Sequence, residues 1–176
     1  MVILGVGNIL QKDDGFGVYA ATYLAKNYNF FGEVAIVNGG VEGINLFNIF
    51  LDNSNILILD TIDINDKAAE IYQIPSYELS GYGLNSGGAH EIGVLQCLDM
   101  LELQGKRVPK TTILGIIPQE VTFDIELSKT LKDNFQRYIK VALNYITNEG
   151  FKYEKRDTYT PLSDIIAIAN DPSFKL

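Results

Sequence analysis

Residues Met1 to Gly17 read MVILGVGNILQKDDGFG, and the fold follows from them. Val2, Ile3 and Leu4 form a short apolar run that stops at Gly5. A run of this kind, bounded by a turn signal, is the pattern of a buried strand. Gly5, Gly7 and Asn8 make the turn, Asp13 and Asp14 follow side by side, and after Gly15 a helical pattern begins. The strand therefore delivers a turn that carries two carboxylates to the carboxyl end of a sheet, where open α/β sheets bind their ligands.

Outward from this opening the same units repeat. Val18, Ala21, Tyr23, Leu24 and Ala25 keep helical spacing up to the polar stretch 26–29. Val34 to Val37 forms a second apolar run, closed by Asn38, Gly39 and Gly40. Ile44, Leu46, Phe47, Phe50 and Leu51 suggest a second helix, and Ile56 to Leu59 a third buried strand ending at Asp60. Continuous apolar strands separated by helices imply parallel pairing with both faces covered. Right-handed crossovers then allow the order 2-1-3, with a crevice between strands one and three.

Ile71 to Ile74 reads as a further, less buried strand, and 80–88 (SGYGLNSGG) as a mobile glycine-rich loop. A helix is expected from Ala89 or His90 to about Leu103, and a β-branched strand from Thr111 to Ile117. A long amphipathic helix follows over Ser128 to Thr147, with Ser128 as its cap. The expected architecture is a three-layer α/β/α sandwich around a twisted, mostly parallel sheet. One domain covers 1–150, and 151–176 is a C-terminal extension that the pattern does not assign.

Composition narrows the function. The chain has 176 residues, a net charge of −8, one cysteine and one histidine. Without basic runs, nucleic acid is not an expected partner. No apolar run reaches the roughly 18 residues of a membrane span, so membrane insertion is not expected. Without a signal-peptide pattern, and with one cysteine, a cytoplasmic location is expected.

Three side chains converge in this scheme. Asp14 follows strand one, Asp60 ends strand three, and adjacent strands lie about 4.8 Å apart. His90 opens a helix directly after the glycine-rich loop. Two carboxylates and an imidazole suit a divalent metal or a water-activating site. Taken singly, each has a plainer reading: a solvated turn or helix start for Asp13 and Asp14, a cap for Asp60, an ordinary surface or core residue for His90. Other constellations fail, because no G-x-S-x-G elbow is present. Cys97 lies seven residues beyond His90, about 10 Å along one helix, and shares a stripe with Val94, Leu98 and Leu101 as a core residue. The glycine spacing Gly5-x-Gly7 matches a dinucleotide turn poorly, since Leu10 stands where the third glycine belongs.

The opening block Gly5 to Leu10 with Asp13 to Gly17 resembles that of the nickel-iron hydrogenase maturation endopeptidases. The resemblance continues in Gly39-Gly40, in Gly43 to Leu46, in Asp60, in His90 to Gly93 and in Gly115 to Glu120. It implies an aspartyl-type endopeptidase that removes the C-terminal extension of a nickel-loaded hydrogenase large-subunit precursor. Asp14, Asp60 and His90 would be both the catalytic residues and the contacts to nickel, the nickel being that of the substrate, with no nucleotide cofactor. The sequence departs from the family at Asn38, where several members carry an aspartate. Two other readings compete: a docking chaperone that binds the large subunit without cutting it, and a nucleotide-binding α/β enzyme.

Overall fold

The computed structural model describes residues 1–78 and 89–171, and of 89–92 the backbone only. Its centre is a five-stranded sheet in the order β3-β1-β4-β6-β5, where β1 is Val2–Val6, β3 Ala35–Gly40, β4 Asn55–Thr61, β5 Ile71–Pro75 and β6 Lys110–Ile116. The first four strands run parallel and only β5 is antiparallel, paired with β6 at the edge. The expected 2-1-3 order is thus the observed β3-β1-β4, and the crevice falls between β1 and β4.

Alternation along each strand feeds two cores, because successive side chains point to opposite faces. Ile3, Leu57, Leu59, Leu114 and Ile116 pack under α1 (Phe16–Asn27), α4 (Lys129–Asn148) and α5 (Leu162–Ala169). Val2, Leu4, Ile56, Ile58 and Ile113 pack under α2 (Phe47–Asp52) and α3 (Ala89–Leu103). The result is the expected three-layer sandwich. β1 and β4 are buried from end to end apart from Asn55, which is why they read as unbroken apolar runs. Ser128 caps α4, its hydroxyl accepting from Leu131 N–H at 3.3 Å, and Cys97 is fully buried in the second core.

Two local expectations change, and the segment left unassigned takes a place. The second helix is split into a 3-10 turn at Gly43–Leu46 and a six-residue α2, burying Leu46 and Phe50 but exposing Ile44 and Leu51. The polar stretch 26–29, expected to end the first helix, runs at Tyr28 into β2 (Tyr28–Phe31), which pairs antiparallel with β7 (Lys152–Lys155). The C-terminal extension therefore packs: β7 forms this ribbon, and α5 buries Ile165 in the first core. The glycine-rich loop at 80–88 and the last five residues, 172–176, lie outside the described residues.

Candidate functional site

The site begins where α1 meets the ends of β1 and β4. A Cβ on Gly17 would stand 2.0 Å from the Leu59 carbonyl oxygen and 2.4 Å from that of Val6. Only glycine lets the helix start directly on the backbone of both strands. Gly7, at φ +130°, would place a Cβ 1.9 Å from the Asp14 carbonyl oxygen. The turn is folded onto itself, so the space its glycines leave is filled by the chain's own backbone.

The paired acids then separate. Asp13 is fully buried. Its carboxylate accepts from Gln119 N–H and Glu120 N–H, both at 3.0 Å, and from Ser128 N–H at 2.6 Å. It is neither a solvated turn residue nor a simple helix start; it anchors the β6–α4 connection. Asp14 is half-buried. Its Oδ2 accepts from Asn8 N–H at 3.0 Å and its Oδ1 from the Thr61 hydroxyl at 3.4 Å. Between Gln11 and Asp13, Lys12 takes φ +50°, a left-handed conformation that costs a non-glycine residue about 1–2 kcal/mol. Lys12 N–H donates to Asp124 O at 2.8 Å, and its ammonium pairs with Glu120 at 2.7 Å. That ion pair holds the Lys12 ammonium above its ordinary range and the Glu120 carboxyl below its own.

Asp60 occupies the expected strand end and is 2% exposed. Its Oδ1 accepts from Thr61 N–H at 2.7 Å, the amide of the next residue in the same strand. Thr61 thus touches both acids, the backbone amide on Asp60 and the hydroxyl on Asp14. Beneath them Tyr138 is fully buried and donates to Leu114 O at 2.5 Å. Burial, reinforced by the negative charge of Asp60, pushes its phenol well above the ordinary tyrosine range.

His90 lies in the first turn of α3, as expected, and its side chain is outside the described residues. The helix that carries it is fixed three residues further on. A Cβ on Gly93 would come within 2.6 Å of Gly43 Cα, so α3 and the 3-10 turn touch backbone to backbone. Gly43, at φ +52°, takes the left-handed conformation this contact needs. The Cys97 thiol donates weakly to Gly43 O at 3.9 Å, and burial pushes that thiol up. Asn38 is half-buried, and its Oδ1 accepts from Gly40 N–H at 3.0 Å.

Thr61, next to Asp60 in β4, reaches Asp14 with its hydroxyl, a contact that the sequence pattern does not show. Asn8 reads only as a turn residue, and nothing in the sequence points Tyr138 at Asp60. Among the described residues no helix is long and apolar enough to cross a membrane.

Comparison with known proteins points one way. The sequence model of the hydrogenase maturation protease family matches residues 18–145. The hydrogenase 2 maturation protease of Escherichia coli (strain K12) is 26% identical over 158 residues, 89% of this chain and 96% of that protein. The E. coli hydrogenase maturating endopeptidase HybD superposes with a TM-score of 0.81 at 24% identity, over 88% of this chain and 96% of that one. The [NiFe] hydrogenase maturation protease HybD from Thermococcus kodakarensis gives 0.66 at 26% identity, over 82% and 97%.

Proposed function

This chain belongs to the hydrogenase maturation protease family, and from that premise we propose that it cuts the C-terminal extension from a nickel-loaded hydrogenase large-subunit precursor. Asp14, Asp60 and His90 contact the substrate's nickel. The observation that carries this reading is the bond from the Thr61 hydroxyl to Asp14, which ties the acid of the turn after β1 to the residue next to Asp60 at the end of β4. Asn8 N–H and the Thr61 hydroxyl hold the half-buried Asp14 as the outer acid; Asp60 forms the floor. The backbone contact between Gly93 and Gly43 fixes the helix that brings His90 to the same end of the sheet.

The chain supplies ligands and orientation, and the substrate supplies the metal. A bound metal polarises a carbonyl and lowers the pKa of its water. Water oxygen bonds to the scissile carbonyl carbon, the C–N bond breaks, and the released amine takes the proton. A precursor without nickel lacks the group these residues recognise, and it is not cut.

The test is a cleavage assay on immature large subunit, with and without nickel, read as product mass. Loss of a C-terminal peptide from the loaded form alone is expected. Asp14→Asn, Asp60→Asn and His90→Ala each reduce cleavage at least a thousandfold while the thermal midpoint of the Asp14 and His90 variants stays near that of the wild type. Equal cleavage of both precursor forms removes nickel recognition. Normal cleavage by all three variants removes the site. Binding without cleavage makes the protein a docking chaperone.

A further inference from the structure

The segment between β6 and α4 is built as a rigid strap. Asp13 holds its first residues through Gln119 and Glu120 and its last through Ser128. Between these anchors it runs beside the residues that precede Asp13. Asp124 N–H donates to Leu10 O at 3.1 Å, Lys12 N–H donates to Asp124 O at 2.8 Å, and Gln11 bridges Asp124 in parallel. One position back from that bridge, on both strands, stand Leu10 and Phe123, 44% and 85% exposed. Val121 and Ile125, two residues to either side of Phe123, are 50% and 46% exposed.

Isolated apolar side chains are ordinary on a surface, but a contiguous group rimmed by polar residues marks an interaction site. Here the rim is formed by the ion pairs Lys12–Glu120 and Lys132–Glu126, both 2.7 Å. Leu10 N–H donates to Asn8 Oδ1 at 3.1 Å, and Asn8 N–H donates to Asp14 Oδ2 at 3.0 Å, so one residue links the patch to Asp14. Of the three acids in 119–128, Glu120 and Glu126 are held by Lys12 and Lys132, which leaves the strap and these lysines one net negative charge, at Asp124, in a chain of net charge −8.

We infer that Leu10, Val121, Phe123 and Ile125 form the docking face for the protein substrate, seating an apolar segment with a basic residue of the large-subunit precursor beside the crevice. This rests on the function proposed above. The reason for anchoring the strap with a buried carboxylate is then mechanical. A face that must hold its occupant in register with Asp14 is fixed to the residue next to Asp14.

Phe123→Ser in the full-length protein tests this, because its ring contributes little to the core. Removing a central aromatic from an interface commonly weakens binding tenfold or more. KM for the loaded precursor should rise about ten- to thirtyfold, with kcat at saturation and the thermal midpoint unchanged. Phe123→Leu should recover most of the loss. Leu103→Ser, on the 87% exposed residue at the end of α3, should leave KM unchanged. An unchanged KM in Phe123→Ser, or an equal rise in Leu103→Ser, overturns the docking face while leaving the proposed cleavage intact. If the wild-type protein does not cleave, direct titration of the same precursor decides. Weaker binding by Phe123→Ser than by wild type supports the face; equal binding, or none by either, overturns it.

Discussion

At the carboxyl end of the sheet, backbone meets backbone. Gly17 lies on the carbonyls of Val6 and Leu59, Gly93 lies on Gly43, and Asp13 gathers three amides around one carboxylate. Toward the C-terminal end of α1, aromatic rings do the joining, in a cluster that starts at Phe16, its ring 5.3 Å from that of Phe135 and 4.8 Å from that of Tyr138. Tyr23 meets Phe135 and Tyr159 edge to face, with centroids 5.2 and 6.4 Å apart, and Tyr28 meets Tyr153 at 5.5 Å. The C-terminal extension belongs mostly to this second end: Asn27 donates to Thr160 O at 3.0 Å and accepts from Thr160 N–H at 2.7 Å. The difference has a physical reason. Ring packing tolerates small shifts, whereas a site that must hold two acids in fixed relation is better framed by close backbone contact and charged hydrogen bonds.

The strongest way to break the comparison is Gly17→Ala. The added carbon would meet two strand carbonyls at 2.0 and 2.4 Å, and neither central strand can retreat without parting the sheet. A loss above about 4 kcal/mol is expected, the range reserved for severe core overlap. It would be seen as little or no soluble protein, or as a collapse of the thermal midpoint. A variant as stable as wild type would refute the backbone-contact account.

Asp13→Ala comes next. Three amides lose their acceptor, each at a cost of about 1 kcal/mol or more. The sum of roughly 3 kcal/mol should lower the midpoint by about 6–12 °C in a chain of this size. Asp13→Asn, which keeps an acceptor oxygen, should lose less. Asp14→Asn, one residue away, should change stability little and abolish cleavage. Denaturant unfolding of the three variants is the measurement, and equal losses at both positions would erase the division between anchor and site.

Much of this frame is legible in the sequence. Val2–Leu4, Ile56–Leu59 and Thr111–Ile117 announce themselves because strands covered on both faces need no polar alternation. Asp60 and the first turn of α3 follow from strand and helix ends. The sequence places Asp14 beside Asp60, but the anchoring role of Asp13 does not follow, because the two side chains are identical. Which one turns inward is decided by the left-handed Lys12 and by amides more than a hundred residues away. The ribbon was equally hidden: Tyr28 pairs with Lys155, and both strands are short and mixed in exposure. Asp13 and the ribbon both depend on distant partners that local periodicity does not encode.

The smallest effect sharpens the comparison at the aromatic end. Burial, with further help from the neighbouring Tyr159, pushes the Tyr23 phenol up to about 12. Burial raises Tyr28 as well. An unfolded tyrosine releases its proton near pH 10. Above that pH the unfolded chain binds fewer protons than the folded one, so stability falls as pH rises. The contribution of Tyr23 is complete below about pH 10 and is lost between about 10 and 12. Tyr23→Phe should therefore make the fall in stability over that window shallower, although the variant starts lower for want of the Gln136 hydrogen bond at 3.1 Å. Asp13→Ala should lower the whole curve and leave its slope there unchanged. Unfolding free energies from pH 8 to 11.5 give the answer. Parallel curves for wild type and Tyr23→Phe would mean that the ring cluster opens to solvent before it ionises, and that this end of α1 is looser than its packing implies.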